Sequence, residues 1–240
     1  MTMKQVVWIC CFFLFVGTAH AITWGPVEKT DPVTGDKVTV QEPDSYGGYI
    51  YFRPSKFDLV FWPFTDENWI WFSPKTGYAS FGGDFDKLSD REKQHLSKWL
   101  KANYDPRRKP ETHTSKLAWL ERVYGQRKMD KHFWSHFFRL MAYIYRDDEQ
   151  RSLEYVNKAI PLLQKALDAN PQGVRRIEVL YLLGEYSRRT RQKEKAREYF
   201  RRVKLETYED RDGKEKAGHP YFLELVQDRE RLMQSDPSKW

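Results

Sequence analysis

Cysteine is nearly absent. The 240 residues hold two, Cys10 and Cys11, too few for a disulfide scaffold or a site built from several thiolates. Long apolar runs are scarce too. The one from Val6 to Val16 falls far short of the roughly 20 residues that cross a bilayer as a helix. No phosphate loop, Gly-x-Ser-x-Gly or His-Glu-x-x-His occurs, so the common nucleotide, acyl-transfer and zinc-hydrolase signatures are missing. What the chain does have is charge and aromatic surface. Lys plus Arg number 41 against 34 Asp plus Glu, a formal +7, and 16% of residues are aromatic. That balance excludes a disordered or collagenous chain, and the length allows one large domain or two small ones.

Lys4 precedes the apolar run, and Gly17-Thr18-Ala19-His20-Ala21 follows it. A basic start, a core of about 7–15 apolar residues and a small-x-small ending describe a secretory signal peptide over 1–21. Cleavage is expected after Ala21, and a periplasmic or secreted product that is not transmembrane. The expected mature chain carries no cysteine, and loss of Lys4 lowers its charge to +6.

Residues 22–82 are rich in aromatics and punctuated by Gly and Pro; 46–81 alone hold thirteen aromatics. Lys37-Val38-Thr39-Val40, Gly48-Tyr49-Ile50-Tyr51-Phe52 and Asn68-Trp69-Ile70-Trp71-Phe72 read as short strands of a small β module. So many rings suit a sheet core docked on helices better than an open stacking platform.

From 83 to 235 the chain reads as helical, with a tail over 236–240. Ser89 and Glu92 have capping-box spacing. Apolar stripes recur around Leu96–Leu100, Leu117–Tyr124, Phe133–Ile144, Leu153–Leu167, Ile177–Gly184 and Ala196–Val203. Pro161 lies within the fourth stripe, Asn170-Pro171 ends it, and Pro220 opens a last helix. The expected class is therefore mainly α, α+β overall.

Gly184, Ala196, Phe200 and Val203 fit the spacing of a tetratricopeptide repeat, small–small–aromatic–branched, with Leu183 before the glycine. Ser187 stands where the pattern wants an aromatic. Ala159 marks a weaker second match 44 residues before Val203. The expectation is a short solenoid of irregular hairpins. In such a solenoid the first helix of each pair lines a concave surface, which would place Tyr181, Glu185 and Arg188 as contacts for a peptide or protein partner. The N-terminal module could equally fill that surface.

Two short motifs repeat across the β module: Asp31-Pro32-Val33-Thr34-Gly35 and Ser73-Pro74-Lys75-Thr76-Gly77. The second continues as Tyr78-Ala79-Ser80-Phe81 and Asp84-Phe85-Asp86-Lys87-Leu88. Cysteine at positions 31, 34, 73 and 76 would make both of them Cys-Pro-x-Cys-Gly knuckles. The chain resembles a group of uncharacterised bacterial proteins with two such knuckles, this same continuation and tetratricopeptide-like helices behind it. The resemblance spans about 28–210 and implies a zinc-ribbon-like module on repeat helices, with no assigned activity. Here Asp31, Thr34, Ser73 and Thr76 replace the ligands. Hydroxyls bind zinc poorly and one aspartate cannot hold a tetrahedral site, so a metal-free ribbon is expected, with no metal and no cofactor.

Catalytic candidates are sparse. His132 and His136 share a helical face but lie among aromatics, which favours packing. Asp58, Asp66, Glu67, Asp84 and Asp86 could supply a carboxylate pair, but turns and helix entries account for such residues. Residues 171–206 hold eleven basic and five acidic side chains, the whole mature excess. Arg188, Arg189, Arg191, Arg197 and Arg201 could meet anionic envelope lipid or polysaccharide; export argues against nucleic acid. The expected function is an exported, non-catalytic interaction scaffold, the anionic-surface binder is the alternative, and an envelope hydrolase is the least favoured reading.

Overall fold

The computed structural model describes residues 22–46 and 53–235. The expected signal peptide, the strand over 48–52 and the tail over 236–240 lie outside the described residues.

Strands β1 (Ile22–Thr30) and β2 (Lys37–Tyr46) pair antiparallel, Val27 opposite Val40 and Lys29 opposite Val38. Val38 and Val40 turn inward while Lys37 and Thr39 stay exposed, the period-2 pattern of a half-buried strand. The first Pro-x-Thr-Gly motif joins the two strands. The second joins β3 (Ile70–Phe72) to β4 (Ala79–Phe81), with Ile70 opposite Phe81. The expected strand from Asn68 is shorter in fact, because Glu67–Trp69 forms a 3-10 turn capped by Asp66.

Between the two pairs lies α1 (Arg53–Asp58), a helix without a sequence signature. It ends at Leu59, whose φ is +51°. There Val60 N–H donates to Ser55 O and Leu59 N–H to Lys56 O, a left-handed helix end that glycine usually fills.

The seven helices read from periodicity all form. Helix α2 (Asp90–Asn103) starts at the expected box: Ser89 Oγ accepts from Glu92 N–H and Glu92 Oε2 accepts from Ser89 N–H. Helix α3 (His113–Tyr124) is capped by Thr112, α4 (Lys131–Ile144) by Asp130 and α5 (Glu149–Asp168) by Asp148. Each cap oxygen satisfies a backbone donor that the first turn leaves open. Pro161 sits inside α5 without ending it. Asn170, at φ +52°, does so with Pro171. Then follow α6 (Gly173–Arg189), α7 (Lys193–Leu205), a small pair of strands β5 (Thr207–Glu209) and β6 (Glu215–Ala217), and α8 (Pro220–Ser235). Four-residue and three-residue links fold α4 on α5 and α6 on α7, respectively, as neighbours. The described chain is mainly helical, with three small antiparallel strand pairs. None of its helices is long and apolar enough to cross a membrane.

The apolar interior falls into two clusters. One joins the strands to α2, α3 and α4 through Tyr78, Phe81, Phe85, Leu96, Tyr124 and Phe137. The other joins α1 to α5–α8 through Phe57, Val156, Leu180, Phe200 and Leu225. The aromatic segment contributes core: Trp71, Tyr78 and Phe81 are all buried. Its polar tips are tied down, as buried Tyr and Trp require. Trp119 Nε1 donates to Gly77 O, and Tyr124 OH accepts from Phe81 N–H while donating to Asp84.

Candidate functional site

The two knuckle turns are built alike. Asp31 N–H donates to Asp36 O and Gly35 N–H to Asp31 O; Ser73 N–H donates to Tyr78 O and Gly77 N–H to Ser73 O, all four at 2.8 Å. Both glycines have φ near +80°. The turns also touch. Thr76 Oγ1 donates to Asp31 Oδ2 at 2.7 Å, and Lys75 pairs with Asp36 at 2.6 Å. Asp31, almost fully buried, also accepts from Val33 N–H; Thr76 Oγ1 accepts from Tyr78 N–H, and Thr34 Oγ1 from Asp36 N–H. Ser73 is buried beside them. One carboxylate and three hydroxyls do not suit zinc, and the strongest of these donors are already engaged with each other. Among the described residues no group of three or more His, Cys, Asp or Glu is placed to hold a metal.

The α6 residues expected to face a partner are covered. Tyr181 and Glu185 are 0% and 1% exposed. Tyr181 OH donates to Phe57 O of α1 at 3.2 Å. Glu185 accepts from Arg188 Nε and Nη2 at 2.8–2.9 Å and from Arg229 of α8 at 2.7 Å. The Arg229 guanidinium in turn lies 3.7 Å from the centre of the Phe57 ring. The open-groove assignment of Tyr181, Glu185 and Arg188 is thus corrected: α1 of the N-terminal module covers part of that face, and α8, which the sequence reading did not place there, covers the rest. Arg189 is likewise turned inward. It bonds Asp58 at 2.9 Å and the Ser152 hydroxyl, which donates to Ala142 O.

The buried charges respond to their setting. Burial raises the Asp58 carboxyl to about 6 against the pull of Arg189. Burial would also raise Glu185, but Arg229 and Arg188 outweigh it and leave that carboxyl below its usual range.

The other three arginines expected at an anionic surface are exposed and matched to acids. Arg197 pairs with Glu194, Arg201 with Glu198, and Arg191 reaches Glu149 at 3.7 Å. The two histidines do not converge on a common point. His132 Nδ1 meets Arg175 at 3.0 Å, whereas His136 Nδ1 meets Arg139 at 3.4 Å and its ring lies edge-on to Phe64. Burial drives His136 down to about 3, helped by Arg139, so it is neutral. Asp58 is claimed by Arg189, Asp66 and Asp84 by the turn and tyrosine described above, while Glu67 and Asp86 are exposed.

A concavity lies where the start of α4, the end of α5 and the start of α6 meet. It measures about 310 Å³. Lys131 and Lys165 stand exposed on its rim, with no ion-pair partner among the described residues. Arg175 and Glu178 bridge one wall at 2.9 Å. Leu163, Val179 and Leu182 form an apolar lining. Arg139 is 4% exposed. Its Nη1 has no hydrogen-bond partner and stands 3.6 Å from Glu178. Sequence reading missed this recess because its residues come from three helices. A trace existed: Lys131, Ser135 and Arg139, four apart, cut a polar stripe into the otherwise aromatic α4.

These features define a mainly helical protein whose paired helices carry a small strand module and enclose a cation-rimmed recess. The chain belongs to DUF2225, a family described as uncharacterized proteins conserved in bacteria, whose family model matches residues 67–217. That match takes in the second knuckle and the helices through α7 but not the first knuckle. No curated protein and no solved structure matches the chain.

Proposed function

We propose that this protein is an exported, non-catalytic interaction scaffold: tetratricopeptide-like hairpins carrying a ribbon-like module that has dispensed with its metal. The hairpin reading rests on the contact its pattern requires. A Cβ on Gly184 would lie 2.5 Å from the Phe200 ring, and Ala196 and Val203 are buried in the same interface. The ribbon reading rests on the two matched turns and the Asp31–Thr76 bond that joins them where a metal would. Replacing all four positions (Asp31→Cys, Thr34→Cys, Ser73→Cys, Thr76→Cys) should restore one zinc per chain, seen by metal analysis, with a zinc-dependent rise in Tm. A folded variant that takes up no zinc would overturn the ribbon reading.

The partner, a protein or peptide segment presenting a carboxylate, docks at the α4–α5–α6 recess rather than along the inner face of α6. The observation that carries this is the rim itself: three cationic side chains, with Arg139 in the wall behind them, against one glutamate around an apolar lining. The anionic-surface alternative is weaker, because Arg197 and Arg201 are each held by a glutamate three residues earlier and such exposed pairs have little charge left to offer. A photoreactive residue at Lys131, in the mature protein within its native envelope, should trap a discrete protein identified by mass spectrometry. The same probe at Arg197 should not. Identical adducts at both positions, or none at Lys131, would refute the assignment.

A further inference from the structure

The recess has a chemistry more specific than positive charge. Its rim carries Lys131, Lys165 and Arg175, with Arg139 in the wall, and one acid, Glu178. Beneath them lie Leu163, Val179 and Leu182, each 3% exposed or less, with the half-buried Leu162 and Ala166 beside them. A volume of about 310 Å³ sits at the lower end of small-molecule sites, roughly 300–1,000 Å³. A bare inorganic anion would leave the apolar lining unfilled. A neutral apolar compound would leave the cations unanswered.

Arg139 adds positive charge from within the wall. Its Nε donates to Ser135 O and its Nη2 meets His136, both at 3.4 Å, while Nη1 is buried and faces Glu178 Oε1 in an ion pair at 3.6 Å. The other Glu178 oxygen holds Arg175 at 2.9 Å. The single acid of the recess is thus shared between two arginines, and the exposed ammonium groups of Lys131 and Lys165 are the cations an incoming carboxylate would meet.

We infer that the α4–α5–α6 recess binds an organic carboxylate bearing a short apolar chain, the carboxylate on the rim lysines Lys131 and Lys165 and the chain against the apolar lining. The inference rests on the recess being the ligand site of the scaffold. The same chemistry can reach it as a free amphiphile or as part of a partner chain.

The probe is sodium octanoate, titrated calorimetrically into the full mature chain, with octan-1-ol and inorganic phosphate as controls. Octanoate should saturate one site, with both controls at least about tenfold weaker. Reversing two exposed rim charges, Lys131→Glu with Lys165→Glu, leaves the core untouched and should weaken octanoate by about tenfold or more. Leu182→Asn should weaken octanoate in the same way, with folding checked by circular dichroism. Absence of a saturable site, equal binding of octan-1-ol, or unchanged affinity in the folded charge-reversal variant would each overturn the inference. Adding octanoate to the Lys131 crosslinking experiment separates the sources. If octanoate fails to bind while Lys131 still traps a protein, the scaffold reading stands and the carboxylate chemistry falls. If octanoate binds and no protein is trapped, the ligand is the free amphiphile and the protein-partner reading falls.

Discussion

At the scale of single residues, the same sequence symbol carries different loads. Gly35 and Gly77 hold equivalent turn positions, both left-handed. A Cβ at Gly35 would meet nothing, whereas one at Gly77 would sit 2.3 Å from the Tyr104 ring. The motif shows the need for positive φ; the close approach of Tyr104 depends on where α2 ends. Asp58 is a sharper case. As a lone acidic residue it reads as an ordinary surface carboxylate, yet α1 buries it against Arg189. Because its folded pKa is raised from 3.8 to about 6, the native state holds that proton more tightly than the unfolded chain does. The contribution is complete below the unfolded value and is lost as pH rises through about 6. Comparing wild type with Asp58→Asn by urea unfolding, the difference should drift in favour of Asn between pH 4.5 and pH 7, by roughly 2 kcal/mol at 1.4 kcal/mol per unit. Glu185 is common to both proteins and cancels. A constant difference, or a drift the other way, would refute the linkage.

Among the elements, caps and stripes were the most legible features. The Ser89–Glu92 box, the Asn170-Pro171 stop and the Pro220 start all appear where local chemistry places them, since each acts within one turn of its own chain. Helix α1 was invisible for the opposite reason. Six residues with no apolar period cannot sustain a helix alone; it forms because Phe57 and Asp58 dock on α6 and α8. The α6–α7 pair lies between these cases. Its Gly-to-aromatic spacing is readable, and its tightness can be tested. Gly184→Ala would improve intrinsic helix propensity by up to about 1 kcal/mol but must displace the Phe200 ring. Overpacking of this kind costs about 1–3 kcal/mol, so the net effect should be a lower Tm, partly recovered by the compensating Phe200→Leu. A Gly184→Ala variant as stable as wild type would show that the contact has room to spare.

On the scale of the whole molecule, the two apolar clusters cut across the change in composition near residue 82. The strands share their core with α2–α4, and α1 belongs to the core of the later helices. Arg229 is the clearest fastener of that arrangement. It carries α8 to Glu185 of α6 and covers Phe57 of α1. Arg229→Met keeps much of the apolar stem but leaves Glu185 with Arg188 alone. The loss should be on the order of 3 kcal/mol in unfolding free energy, because a buried carboxylate loses one of its two cations and Phe57 loses its cover. Removing that charge as well, in Arg229→Met with Glu185→Gln, should return a substantial part of it. If the single variant loses less than about 1 kcal/mol by urea unfolding, the buried cluster is not what ties α8 and α1 to α6. The sequence by itself determined what depends on near neighbours: the helices and their caps, the paired turns, the absence of thiols from 22 onward, and the excess of arginine over 171–206. Only the tertiary structure decided which of those charges are spoken for and where an opening remains. Ion pairing, burial and concavity are set by residues far apart in the chain, and they turned the expected binding face of α6 into core while leaving a recess among three helices that no local pattern outlines.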